Sequence, residues 1–163
     1  MTPLVRRHRP LSRFLRDRRG TYAVEFAVVA APLLFTVLWV LQMSLYYVTQ
    51  TSLDIGVNNA ADYLRSSFAQ ALPTYPDAAT LKAKIASTSG GFVHNDATLA
   101  VDIRPLTKLN TGTVAITDES TPDYGAAGAP LVLRAQANTF SFAPGFKSTV
   151  QVQSSAIVRR KSN

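Results

Sequence analysis

One carboxylate in this chain stands where a carboxylate is costly. Glu25 lies at the mouth of the apolar stretch RRGTYAVEFAVVAAPLLFTVLWVLQMSLYYV, Arg18 to Val48, and after it no charged residue occurs until Asp54. On insertion scales an acid at mid-membrane costs roughly 2.5–3.5 kcal/mol, so an acid kept beside such a run is a functional candidate by default. The plainer alternative is a boundary residue whose side chain reaches the cytoplasmic interface, where the cost is small.

The other residue types that carry chemistry do not assemble into a pattern. His8 lies in a basic leader and His94 in a loop beside Asp96, and two isolated histidines make no ligand set. The acids Asp118, Glu119 and Asp123 lack the alternating spacing of a calcium loop and read as a solvated turn. Cysteine is absent, so there is no thiolate nucleophile, no cysteine metal site and no disulfide framework. No serine, histidine and aspartate set, phosphate loop or carboxylate pair stands out. The expectation is a protein without catalytic residues, metal or cofactor, and not an enzyme.

The formal charge of +7 invites a nucleic-acid reading, but its distribution argues against one. Residues 1–20 hold seven arginines against Asp17; the remaining residues hold ten Lys and Arg against nine Asp and Glu. A phosphate-binding face needs cations gathered on a folded surface, and beyond residue 20 they are scattered singly. A basic block beside an apolar segment stays cytoplasmic by the positive-inside rule, and the next basic residue is Arg65. The orientation expected is N-terminus in the cytoplasm and C-terminal part outside, across the lipid bilayer.

From Phe26 to Val48 the run is 23 residues long, which at a rise of about 1.5 Å per residue spans roughly 35 Å, enough for a hydrocarbon core of about 30 Å. No small-x-small cleavage site follows it, so it is expected to stay in the mature protein. Pro32 removes one helix hydrogen bond and is a candidate kink. Beyond the run, Tyr46, Leu53, Val57, Ala60, Leu64 and Phe68 recur at helical steps, which predicts one helix over residues 21–72, with a break near Gly56 left open. Pro73 ends it, and residues 73–91 form a linker with a short helix from about Ala78 to Ala86, Asp77 being its N-cap.

After residue 92 the period changes to two. Leu99, Val101 and Ile103, then Leu131, Leu133, Ala135 and Ala137, then Val150 and Val152 alternate with small or polar residues as in half-buried antiparallel strands, and Thr113 to Thr117 is a candidate fourth. An Ala143-Pro144-Gly145 turn links the last two strands. The expected fold class is α+β: a long N-terminal helix, transmembrane in its first half, followed by a small antiparallel sheet domain over residues 92–163.

Gly20-Thr21-Tyr22-Ala23-Val24-Glu25-Phe26-Ala27 resembles the processing site of type IV pilin-like proteins, in which a basic leader ends in Gly and Glu is the fifth residue after it. The fuller stretch RRGTYAVEFAVVAAPLLF, with the helix containing Asn59-Ala60-Ala61-Asp62-Tyr63-Leu64-Arg65, is similar to TadE-like pseudopilins of the tight-adherence (Flp, type IVc) pilus system over roughly residues 16–66. The resemblance implies cleavage between Gly20 and Thr21 by a membrane-embedded prepilin peptidase, with Glu25 and Phe26 serving subunit assembly. It also implies other pilin and pseudopilin subunits and the inner-membrane assembly platform as partners, and a role in pilus biogenesis and surface adhesion. The new terminus is Thr21, whereas pilins methylated after cleavage commonly begin with an aromatic residue; methylation is therefore not implied. A permanently anchored periplasmic binding or scaffold protein with an uncleaved leader is the alternative from another class.

Overall fold

The computed structural model describes residues 19–70, 74–94, 98–109, 116, 122–142, 145 and 149–160. The basic leader up to Arg18, the helix end expected at Leu72, the strand expected over Thr113–Thr117 apart from Ile116, and the acids Asp118 and Glu119 lie outside these residues. The turn residues Ala143 and Pro144 also lie outside them. The chain forms two compact units, residues 1–40 and 41–163.

Helix α1 spans Arg19–Ala69, 51 residues without an interruption at Pro32 or at Gly56. Its first part, rich in Ala, Val, Leu and Phe, is exposed almost throughout from Gly20 to Leu41. It is long and apolar enough to cross a membrane. Hydrophobic side chains exposed on this scale in one continuous helix are what a lipid environment requires, since in water each would forgo about 1.5–3 kcal/mol of burial.

In the second unit the same helix becomes one-sided. Leu53, Val57, Ala60, Ala61, Leu64 and Phe68 are buried at steps of one to four residues, while Ile55, Asn58, Asn59, Asp62 and Tyr63 stay exposed between them. This stripe is one wall of a core completed by Leu81, Ile85, Leu99, Val101, Ile103, Leu131, Leu133, Val152 and Val158. Helix α2, Ala78–Thr88, contributes Ala78, Leu81 and Ile85 from its buried face. Asp77 caps it, its carboxylate accepting from the Thr80 amide at 2.8 Å. That hydrogen bonding holds the Asp77 carboxyl below its ordinary range.

Gly56 explains why α1 need not break. A Cβ placed there would lie 2.9 Å from the Ile85 carbonyl oxygen, 3.0 Å from Ile85 Cγ2 and closer still to Ser89 Oγ. The glycine is the point where α2 crosses α1 nearly backbone to backbone, and the helix interior tolerates its cost of about 1 kcal/mol because the crossing is made there.

Three strands form an antiparallel meander in the order β1-β2-β3: β1 Ala100–Pro105, β2 Pro130–Phe140 and β3 Thr149–Arg159. One face, with Val101, Ile103, Leu131, Leu133, Ala135, Val152, Ala156 and Val158, is buried in the core. Two side chains of α1 tie it to β3: Gln50 Nε2 donates to the Gln153 carbonyl at 2.9 Å and Arg65 Nη2 donates to the Ile157 carbonyl at 2.8 Å. Helix and strand therefore advance in the same sense. The α+β layout expected from the sequence, a long helix followed by a small antiparallel sheet, is the one observed.

Two details of the second unit differ from a simple alternation of buried apolar and solvated polar residues. Asp102 lies on the face of β1 away from the core, yet its side chain is fully buried, paired with Arg134 across the strand and with Arg104 Nε at 2.9 Å. The two guanidinium groups flanking it compensate the desolvated charge. At the other end of the domain Phe68, Tyr75 and Tyr124 meet edge to face or tilted, with ring centroids 5.1–5.9 Å apart. The Tyr124 hydroxyl donates to the Pro76 carbonyl. Burial, with the nearby Asp77 charge second, pushes the Tyr124 phenol up to about 12.

Candidate functional site

Gly20, Thr21, Glu25 and Phe26 fall within the first two turns of α1, and all four are exposed. Gly20 carries no steric demand: a Cβ there would meet nothing within 4 Å. It thus contrasts with Gly56, whose neighbours forbid a side chain. A glycine with open space around it, at a helix start where alanine would serve the helix better, has no reason within the fold.

Glu25 lies one helical turn beyond Thr21, a rise of about 6 Å along the axis. Among the described residues no hydrogen bond or ion pair reaches its carboxylate. The seven-residue step from Glu25 to Pro32 and the four-residue step to Thr36 bring these three onto one helix face. Pro32 leaves the helix uninterrupted, and Thr36 Oγ1 donates to the Pro32 carbonyl at 2.8 Å. Such hydroxyl back-bonding to the i−4 carbonyl gives the polar Thr36 side chain a partner within an apolar run. Phe26 is exposed like the apolar residues after it.

Sequence reasoning passed over one residue that the fold uses. Gln42 reads as a mild polar interruption of an apolar run, but it is 1% exposed. Its amide makes two hydrogen bonds to the end of β2, Nε2 donating to the Phe140 carbonyl at 3.3 Å and Oε1 accepting from the Phe142 amide at 3.1 Å. A side-chain amide offers a donor and an acceptor side by side, the same pair that a neighbouring strand would offer. Gln42 therefore fastens α1 to the end of β2. The signal in the sequence was a glutamine inside a run otherwise fit for lipid, where an unsatisfied amide is costly.

The remaining polar candidates are structural. Asp123 accepts from the Gly125 amide at 3.0 Å and pairs with Lys108, and the Lys108 bond, with that of Gly125, holds its carboxyl below the ordinary range. His94 is exposed, with Asp96 outside the described residues. Among the described residues no three of His, Asp and Glu converge on a point that would hold a metal ion.

Residues 20–62 match the family model described as TadE-like protein. No curated protein and no solved structure matches the chain. The matched stretch opens on Gly20, takes in Thr21, Glu25, Phe26 and Pro32, and runs on through Gln42 and Gly56 to Asp62. Over that stretch, 43 of the 163 residues, the chain is similar to TadE-like proteins.

Proposed function

We propose that the chain is a minor pilus subunit, or pseudopilin, of a Tad-type system: inserted in the bacterial inner membrane, cut between Gly20 and Thr21 by a prepilin peptidase, and used in pilus assembly and surface adhesion. In this reading the leader stays in the cytoplasm and the sheet domain lies in the periplasm. The observation that carries it is Gly20, a helix-start glycine that packing does not require, at the first residue of the TadE-like match and five residues before a carboxylate with no partner among the described residues. Glycine lets the backbone extend into a protease without a side-chain clash.

Cleavage removes residues 1–20, and with them nearly all the net charge. It also frees the Thr21 amine. In an assembly the amine of a neighbouring subunit then pairs with Glu25, offsetting the cost of holding either charge in an apolar bundle and setting the register between subunits. Pro32 acts as a local relaxation of the helix on the same face. In this reading the lipid-spanning stretch is taken as residues 21–41, ending before the buried Gln42, in place of the Phe26–Val48 expected on sequence; at about 1.5 Å per residue it spans roughly 32 Å and matches the hydrocarbon core.

Mass spectrometry of the protein isolated from its native membrane tests the cut. A chain beginning at Thr21 is expected; an intact leader in cells that contain an active prepilin peptidase would favour the permanently anchored scaffold instead. For Glu25 the test is Glu25→Ala, expected to be cut normally but poorly incorporated into pili. Normal incorporation would remove the pairing role.

A further inference from the structure

We infer that the β2–β3 end of the domain is a membrane-seating surface, with Phe140 and Phe142 entering the headgroup region of the bilayer that α1 crosses. The inference rests on residues 21–41 crossing a membrane, and adds a second lipid contact made by the sheet. Phe140 is 70% exposed and Phe142 43%, two aromatic side chains two residues apart at one tip of the domain. Their backbone is not free to lie elsewhere, because the Phe140 carbonyl and the Phe142 amide are both held by Gln42.

Gln42 follows directly on Leu41, the last residue of the exposed apolar stretch. The two hydrogen bonds therefore hold residues 140–142 beside the helix residue that directly follows the proposed span. Met43 and Tyr47, one and five residues beyond Gln42, carry exposed apolar surface on α1 within about 8 Å of rise along the helix. Aromatic rings are favoured at this depth, and an amphipathic surface there is buried about 5–10 Å into the headgroup and acyl boundary. Gln42 also answers the polar requirement: its amide enters the interface already satisfied by backbone, so seating leaves no donor or acceptor of that pair unmet. Lipid is the occupant that this continuity selects, since the surface begins where the membrane-crossing stretch stops.

The chain has no cysteine, so single cysteines can be placed and labelled at will. The full-length protein, one copy per phosphatidylcholine and phosphatidylglycerol nanodisc, would carry a polarity-sensitive fluorophore at Phe142→Cys or, independently, at Phe140→Cys. Ile157→Cys is the water reference: it is exposed, its partner Val132 lies eight residues along β2 from Phe140, and at about 3.3 Å per residue the separation is roughly 26 Å. Leu33→Cys reports the span itself. Quenching by lipids spin-labelled just below the headgroup is expected to be several-fold stronger at 142 and 140 than at 157, with emission shifted to the blue. Labels at 142 and 140 that behave like the one at 157 while Leu33 is quenched would overturn the seating and leave the span intact. Blue-shifted labels that spin-labelled lipid does not quench would mean that protein covers the site, which also overturns it. An unquenched Leu33 would overturn the span and the seating together.

Discussion

Gly56→Ala separates two accounts of a glycine in the middle of a long helix. If the residue were only a weak point in α1, alanine would stabilise the chain by about 1 kcal/mol through helix propensity. The geometry predicts the opposite. The added Cβ would sit 2.9 Å from the Ile85 carbonyl oxygen and 3.0 Å from Ile85 Cγ2, and would collide with Ser89 Oγ. The carbonyl belongs to the backbone of α2, so relief requires α2 to move away by several tenths of an ångström. Overpacking of this kind costs about 1–3 kcal/mol. Displacing Ser89 Oγ from its 2.5 Å bond to the Ile85 carbonyl adds about 0.5–1.5 kcal/mol. Set against the propensity gain, the net destabilisation is about 0.5–3.5 kcal/mol, at roughly 4 °C in Tm for each kcal/mol in a domain of this size. Thermal unfolding of the full chain in detergent, followed by near-ultraviolet circular dichroism, reads it through the cluster of Phe68, Tyr75 and Tyr124. The double variant Gly56→Ala, Ser89→Ala should recover part of the loss, because the hydroxyl is gone while the Ile85 carbonyl and Cγ2 remain. A Tm equal to or above that of the parent chain would refute the close crossing.

Three further outcomes follow from the same structure. Asp102→Ala leaves Arg104 and Arg134 facing one another without their shared carboxylate, and is expected to destabilise the domain by about 3 kcal/mol, the lower end of the range for breaking a buried pair because both arginines retain some access to water; denaturant titration measures it, and a loss under about 0.5 kcal/mol would refute a structural role for the pair. Tyr124 ionises near 10.0 when unfolded and is raised to about 12 in the fold, so between those values the native state binds the extra proton; stability is fully present below pH 10, falls as pH rises toward 12, and the decline should weaken in Tyr124→Phe. Gly20→Ala, with open space around the position, is expected to leave folding unchanged and to block cleavage, giving a leader-bearing chain by mass spectrometry.

The linear order of residue types determined the long helix, its apolar first half, the charge-rich leader, the change to period two after residue 92 and the carboxylate at position 25. Each of these is local: a run of Val, Leu and Phe is fit for lipid wherever it lies, and Leu131, Leu133 and Ala135 share a strand face by backbone geometry alone. The stripe Leu53, Val57, Ala60, Leu64 and Phe68 was legible for the same reason, and it is the stripe that is buried. Gln42, Gly56 and Asp102 were not legible. A glutamine in an apolar run becomes a strand-like partner only because the end of β2 arrives beside it, 98 residues later in the chain. Gly56 becomes a crossing point only because α2 returns over it, and Asp102 is buried only because Arg134 comes opposite it in register. Periodicity states which face of an element is apolar; which other element meets that face, and at which residue, is decided by the packing of the whole domain.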